Sequence, residues 1–364
     1  MSKKPTVIVC AGGGGVGKTT TSAGLALALA WSGQRTLVVT VDPARRLADA
    51  METPIGTVPT RVQLDPSVPG QLYALMPDPR EAMRTFIEHL FVDEPAAMAR
   101  LVKNPIFLVM EDAVAGVHEL VSVMLVVRAV SEIELDCVVV DTAPSRYALD
   151  LVSYPGRLAS LFEGRAVAWF GSLAQRAAGE DSGGGVLAWG RRQVEGALAR
   201  VLGVRVITDV ANLFAELARV RVRFAMFARQ AEELLLGEAT KFVLVAAPTG
   251  AAAADLHYLA RKLEKLERHA TAVVLNRADV AAPDWAAEVY GHVEATPALI
   301  AAVRQLEEER TLRTQAADAL SREVQRRYPA VRQIRLPTIA AEHPAAIVSA
   351  LASELSARLA MFLG

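Results

Sequence analysis

The chain has 364 residues, 52% of them hydrophobic and 22% charged, which excludes a disordered chain and allows one large domain carrying an insertion. Lys plus Arg total 39 against 40 for Asp plus Glu, a formal net charge of −1, so neither bulk nucleic-acid binding nor an anionic membrane surface is expected. The two cysteines, Cys10 and Cys137, each sit in a Val-rich run with no Cys-x-x-Cys or His/Cys cluster, which predicts buried thiols and no disulfide framework or zinc site.

In chain order, Met1–Pro5 leads directly into an apolar run and lacks the uncharged core and cleavage site of a signal peptide. No stretch reaches the ~18 uncharged apolar residues of a membrane span; the segment Leu120–Val127 stops at Arg128. A reducing cytoplasm is the expected compartment, with no integral membrane segment. Two β-rich runs, Thr6–Ala11 and Thr36–Val41, flank the helix-like Thr20–Ser32 and predict a βαβ unit. Further strands are predicted at Leu72–Met76, Cys137–Asp141, Phe242–Ala247, Ala272–Asn276 and Val331–Leu336. Most are continuously apolar and rich in β-branched residues, as strands buried on both faces should be.

The strand signal weakens between about residues 80 and 130 and again from about 154 to 237, with Val204–Thr208 as one strand-like exception. Leu213, Phe214, Leu217, Val220, Phe224 and Phe227 recur with the period of an amphipathic helix. So does Ala345–Leu363, with Ile347, Leu351, Leu355, Leu359 and Phe362 on one side. Its single cation, Arg358, predicts packing against the sheet rather than membrane binding, which favours Lys/Arg-rich helices.

The chemistry concentrates at Gly12-Gly13-Gly14-Gly15-Val16-Gly17-Lys18-Thr19, which satisfies G-x-x-x-x-G-K-[ST] between a strand and a helix. Glycines let a loop wrap closely so that backbone N–H groups converge on phosphate oxygens, and the helix N-terminus adds its positive end. Lys18 is expected on the β- and γ-phosphates, Thr19 on Mg²⁺ and Thr20 near the α-phosphate. Two acidic loops follow strands, Asp42-Pro43-Ala44-Arg45-Arg46 and Asp141-Thr142-Ala143-Pro144-Ser145-Arg146. Alone, an Asp in such a place is a turn or cap residue. Beside a phosphate loop, at the carboxyl ends of parallel strands, Asp141 reads as the carboxylate of the Mg²⁺ shell and Asp42 as the group handling the attacking water.

These observations predict an α/β fold: a doubly wound, mostly parallel sheet of the P-loop NTPase kind with a helical subdomain inserted. Residues 1–90, 131–153 and 238–364 are expected to form the nucleotide-binding domain, and 91–130 with 154–237 the helical subdomain.

The G-G-V-G-K-T-T loop, the Asp42-Pro43-Ala44 and Asp141-Thr142-Ala143-Pro144 segments and the late Asn276 resemble ArsA/GET-type ATPases. That family includes the arsenite-pump ATPase and the ATPase that targets tail-anchored membrane proteins. It stands beside ParA/MinD-type ATPases and the nitrogenase iron protein. A bacterial ArsA-like branch is particularly similar, through Asp141–Asp150, Asn104-Pro105-Ile106 and Ala115–Glu119. The resemblance implies ATP/ADP and Mg²⁺ as ligands, a dimer, and two switches: Asp42–Arg45, with Asp42 acting on the water, and Asp141–Arg146, with Thr142–Ser145 relaying nucleotide state to the helices. It also implies Asn276 on the adenine edge, otherwise a routine strand-end cap, with Pro248, Thr249 and Pro337 lining the base pocket.

The chain departs from the family where K-G-G-x-G-K-[ST] has its leading lysine, which reaches the partner subunit's phosphates; here that position is Gly13. Arg45, Arg46 and Arg146 are the candidates to supply the missing charge. The Asp-Pro-Ala-His-Asn and Thr-Gly-His elements of the tail-anchor branch are also replaced, and the cysteines of an arsenite site or zinc-stapled dimer are absent.

The expected function is a Mg²⁺-dependent ATPase acting as a homodimer, or as a heterodimer with a lysine-bearing homologue. Its nucleotide state would open and close a helical, apolar surface for a hydrophobic protein client. Phe162, Trp169, Phe170, Phe224, Met226 and Phe227 are candidates for that surface, although apolar stripes of this period are commonly core. The alternatives are a ParA/MinD-type positioning ATPase, a nucleotide-binding regulatory subunit with weak hydrolysis, and a small-molecule phosphotransferase.

Overall fold

The computed structural model describes residues 4–41, 46–113, 115–143, Leu149, 204–279 and 296–363. Within it the chain divides into two compact units. The first comprises Met1–Pro77, Ala129–Asp150 and Leu235–Gly364, and the second Asp78–Arg128 and Leu151–Leu234. The first boundary falls at Asp78, close to where the strand signal weakens and ahead of residue 91. The reason is local: Asp78 caps a helix by accepting from the N–H groups of Arg80 and Glu81, and Pro79 occupies the first helical position.

The first unit is built on strands β1 (Thr6–Gly12), β2 (Arg35–Thr40), β3 (Thr60–Arg61), β4 (Gln71–Leu75), β5 (Cys137–Asp141), β6 (Thr240–Ala246), β7 (Ala270–Leu275) and β8 (Arg332–Arg335). They form one sheet in the order β3-β4-β2-β5-β1-β6-β7-β8. All pairings are parallel except β3 with β4. β3 is a short edge strand beyond those the sequence predicted. The fold is α/β and mostly parallel, as expected.

β1 lies centrally, and its Val7, Ile8, Val9, Cys10 and Ala11 are at most 1% exposed, so both faces of the strand are covered. Side chains alternate along a strand, and on one face Ile8, Cys10, Val38, Val139, Val243 and Val274 join a single core. Helices α1 (Lys18–Trp31) and α2 (Arg46–Met51) add Leu25, Leu29 and Leu47 to that core. On the other face, Leu244 and Val273 meet Leu256 and Ala260 of helix α9 (Ala252–Lys265).

The second unit contains α3 (Pro79–Leu90), α4 (Pro95–Leu101), α5 (Pro105–Ala113), the first turns of α6 (Ala115–Glu132), α7 (Val204–Arg219) and most of α8 (Arg221–Leu236). The expected strand at Val204–Thr208 is instead the first two turns of α7. A β-branched run of five residues carries only a weak local preference. The apolar stripe that continues it through Ala211 and Leu213 is buried along a helix, and packing overrides the propensity. The amphipathic run from Leu213 to Phe227 is divided between α7 and α8, which break at Val220.

The core of this unit is partly aromatic. Phe86 meets Phe224 and Phe227 edge-on, at 6.1 and 6.0 Å between ring centroids. Arg100 forks onto Glu216 with Nε–Oε1 2.5 Å and Nη2–Oε2 3.0 Å, and Asn104 donates to the Asp209 carbonyl at 2.7 Å. Phe224 is therefore core, as is the inner edge of Phe227, whereas Met226 is exposed. Phe162, Trp169 and Phe170 lie outside the described residues. A groove of about 580 Å³ runs between α3, α4 and α5, floored by Met83, Ile87, Met98 and Phe107 and rimmed by Arg80, Arg84 and Glu88.

The C-terminal amphipathic segment forms α11 (Pro344–Ser356) and α12 (Ala360–Leu363), after the long α10 (Pro297–Arg327). Its apolar side packs on α1: a β-carbon at Gly24 would stand 2.9 Å from Cβ of Leu351, so the two helices approach at backbone distance. Among the described residues no helix is long and apolar enough to cross a membrane. Leu351→Ala, which empties the centre of this contact, is expected to lower unfolding free energy by about 2–5 kcal/mol. Urea denaturation followed by circular dichroism would show the lowered midpoint.

Candidate functional site

β1 ends at Gly12 and α1 begins at Lys18, so five residues turn the chain from strand to helix. Parallel pairing puts Gly12 beside Val245 of β6. A β-carbon on Gly12 would lie 2.2 Å from the Val245 carbonyl oxygen, which is why the position takes no side chain. Gly15 and Gly17 adopt φ of +71° and +85°, in the left-handed region that glycine enters without steric cost. Gly14 and Gly15 form the exposed lip of the loop. Gly17 is the N-cap of α1 and no side chain caps that helix. Its leading N–H groups therefore face the loop, the arrangement that binds an anion at a helix N-terminus.

Lys18 is only 5% exposed, and its Nζ donates to the Gly13 carbonyl at 3.0 Å, so the ammonium lies across the mouth of its own loop. Thr19 and Thr20 follow in the first turn, both half-buried. The Thr19 hydroxyl donates to Oδ2 of Asp141 at 2.7 Å, and the Thr40 hydroxyl donates to the same oxygen at 2.9 Å. The register explains the meeting, because Asp141 at the end of β5 pairs with Cys10 of β1 on one side and Thr40 of β2 on the other.

Beyond β5, Thr142 donates through its N–H (3.2 Å) and its hydroxyl (2.8 Å) to the Cys10 carbonyl, and Val41 N–H donates to the Asp141 carbonyl at 2.9 Å. The loops leaving β2 and β5 thus start from one stitched edge. Burial pushes the Cys10 thiol beneath this site up to about 12, with Asp141 adding to the rise while Ser22 and Lys18 oppose it. The thiol stays protonated at neutral pH and offers no nucleophile or metal ligand.

The residues fit a magnesium ion. The Thr19 proton is committed to Asp141, which leaves the hydroxyl's lone pairs for a cation, and a hydroxyl backed by a buried carboxylate is a hard oxygen set suited to Mg²⁺.

The structure thus brings together Gly12–Thr20 and Asp141. Arg46 opens α2 and is exposed. Asp42, Pro43, Ala44 and Arg45, like Pro144, Ser145 and Arg146, lie outside the described residues; Thr142 and Ala143 directly follow β5. Asn276, implied on the adenine edge, has its Nδ2 on the Val16 carbonyl at 2.9 Å, within the phosphate loop itself. Pro248 stands in the turn after β6, and Pro337 follows β8.

Groups the sequence reading missed brace this side. Asp279 accepts from Thr338 N–H and Oγ1, both at 2.7 Å, and Arg335 Nη2 donates to the Asp279 carbonyl at 2.9 Å. Ala278 N–H donates to the Leu336 carbonyl at 2.8 Å, which ties together the segments after β7 and β8. Asp255 was also missed: a β-carbon at Gly13 would sit 2.7 Å from its Oδ2. Its position, four residues into the segment following Ala251, gave no sign that α9 reaches the loop.

Comparison with known proteins finds relatives of the segment that carries these features. The sequence profile of the anion-transporting ATPases matches residues 5–180. That stretch, just under half of the chain, is similar to the anion-transporting ATPase family. It contains β1, the phosphate loop, β2 and β5, which hold every residue of the Thr19–Thr40–Asp141 cluster. Among curated relatives, "ATPase ASNA1 homolog 1" of Paramecium tetraurelia is 32% identical over 157 residues, 41% of this chain and 43% of the relative. "ATPase get3" of Schizosaccharomyces japonicus is 32% identical over 151 residues, and "ATPase GET3" of Malassezia globosa 34% over 151; each alignment covers 43% of the relative. The alignments therefore span less than half the length of these relatives.

Asp141→Asn removes the charge behind Thr19 while keeping its shape. It is expected to raise the Mg²⁺ concentration needed for nucleotide binding by about 10–100-fold. Nucleotide titrations at graded Mg²⁺ would measure the shift, and an unchanged requirement would detach Asp141 from the metal.

Proposed function

We propose that the chain is a Mg²⁺-dependent ATPase of the ArsA/GET type. The observation that carries this reading is the Thr19–Asp141 hydroxyl–carboxylate pair beside a glycine loop whose lysine is buried against it. In such a site Lys18 exchanges its contact with the Gly13 carbonyl for the β/γ-phosphates, and the loop N–H groups and the α1 N-terminus hold the phosphate oxygens. Bound Mg²⁺ neutralises charge on the phosphates, and Thr19 with Asp141 would hold it there. Asp42 orients and deprotonates the attacking water. Pro248 and Pro337 would flank the base.

Phosphoryl transfer is accelerated mainly by positive charge on the developing phosphate charge, and an arginine finger supplied in trans is worth about 10³–10⁵ in rate. Gly13 supplies no charge, and Asp255 occupies the space a side chain there would enter. That observation favours slow turnover by a homodimer, as in a nucleotide-responsive regulatory subunit, with full activity beside a lysine-bearing homologue. Arg45, Arg46 or Arg146 would be the internal substitutes. The helical unit would carry the surface for a hydrophobic client, with the groove of α3–α5 as its described part. A ParA/MinD-type role at a membrane is less favoured, since the apolar side of α11 is already buried on α1.

Lys18→Ala should abolish measurable ATP·Mg²⁺ binding in isothermal titration, while Asp42→Asn should keep the affinity and slow hydrolysis ~10²-fold. Wild-type affinity and turnover in Lys18→Ala would refute the assignment. Turnover of the chain alone, and mixed with a lysine-bearing homologue, tests the charge argument. Fast turnover of the chain alone, unaffected by Arg45→Ala, Arg46→Ala or Arg146→Ala, would sink it.

A further inference from the structure

We propose that Asn276 is a positioning residue for the phosphate loop: by holding the Val16 carbonyl it turns the Gly17 N–H towards the bound phosphates. This rests on the reading of the loop as a nucleotide site and assigns Asn276 a task separate from any contact with the base.

The geometry is local and specific. Asn276 is 5% exposed at the end of β7, and its own N–H donates to the Ala246 carbonyl at 2.7 Å, so its backbone is fixed by the sheet. Its side chain reaches across to the loop, where Nδ2 lies 2.9 Å from the buried Val16 carbonyl oxygen. A carbonyl oxygen only accepts, so the amide must face it with its NH₂ group. The peptide joining Val16 to Gly17 is trans and planar, which puts its C=O and N–H on opposite sides. Holding the carbonyl towards β7 therefore directs the Gly17 N–H the other way, to the inside of the loop.

An independent observation supports the seat. A β-carbon at Gly17 would lie 2.2 Å from Asn276 Nδ2, and φ there is +85°. Glycine at this position thus serves both the left-handed turn and the close approach of the amide. On the far side, the Gly17 carbonyl accepts from Thr21 N–H (2.9 Å) and Thr21 Oγ1 (2.8 Å). The two peptide planes before Lys18 are consequently held by β7 and by α1, and the lysine leaves the loop from a fixed point. Without the amide, the Val16 carbonyl loses its buried partner, and the peptide becomes free to rotate towards another donor.

The test uses two ligands that share phosphates and differ in the base. Mg²⁺·ATP and Mg²⁺·tripolyphosphate are titrated into the wild-type chain, Asn276→Ala and Asn276→Gln, with thermal unfolding recorded for each. The expected result is that Asn276→Ala loses about 10-fold or more in affinity for tripolyphosphate as well as for ATP, as fits one hydrogen bond to a charged ligand. Asn276→Gln keeps the donor on a longer arm and covers the case in which the alanine variant does not fold; parallel losses for both ligands again support the proposal. If tripolyphosphate affinity stays within about 3-fold of wild type while ATP weakens, Asn276 acts on the base alone and the proposal is overturned. It is equally overturned if neither ligand is affected. Failure of the wild-type chain to bind either ligand would instead remove the nucleotide reading of the site.

Discussion

One carboxylate oxygen organises the centre of this protein. Oδ2 of Asp141 accepts hydroxyl protons from Thr40 on β2 and Thr19 on α1, and Asp141 itself ends β5, so one atom joins three elements of the sheet domain. The residue is 0% exposed, and a buried carboxylate costs free energy unless hydrogen bonds compensate it. The two hydroxyls offset part of that cost, at Oδ2, only if β2, β5 and α1 keep their register, which couples the central packing to the chemistry. Val41 and Thr142, the first residues beyond β2 and β5, are hydrogen-bonded to this same edge.

The phosphate loop is constrained from the opposite side by close approach rather than by charge. Gly12 is pressed on the β6 backbone, Gly13 faces Asp255 and Gly17 faces Asn276. The backbone at Gly12 and the left-handed φ at Gly17 exclude a side chain, Asp255 crowds one at Gly13, and the only buried cation among residues 12–20 is Lys18. The family likeness covers residues 5–180, yet Asp255 and Asn276 lie beyond it. The shape of the loop is thus a joint product of the matched segment and of strands and helices that follow much later in the chain.

The helical unit follows a different logic. Phe86, Phe224 and Phe227 close an aromatic core, and the Arg100–Glu216 fork and the Asn104 bond to Asp209 tie α4 and α5 to α7. Exposed apolar groups such as Leu108, Val109 and Met226 remain on its surface, so its apolar residues divide between holding the unit together and facing outwards.

The sequence by itself determined the parallel sheet, because continuous β-branched runs such as Thr6–Ala11 and Cys137–Asp141 can be satisfied only by burial on both faces. It also determined the phosphate loop, whose glycines, lysine and threonine are contiguous, so that motif and local geometry coincide. Local pattern misjudged Val204–Thr208, where a buried helical stripe outweighs β propensity. Only the tertiary structure decided that Asn276 reaches Val16, that Asp255 stands against Gly13 and that Asp279 is engaged by Thr338. These pairs are 260, 242 and 59 residues apart in the chain (276 − 16, 255 − 13 and 338 − 279), and no periodicity or spacing encodes them. They exist because the parallel order β1-β6-β7-β8 gathers the carboxyl ends of distant strands along one edge.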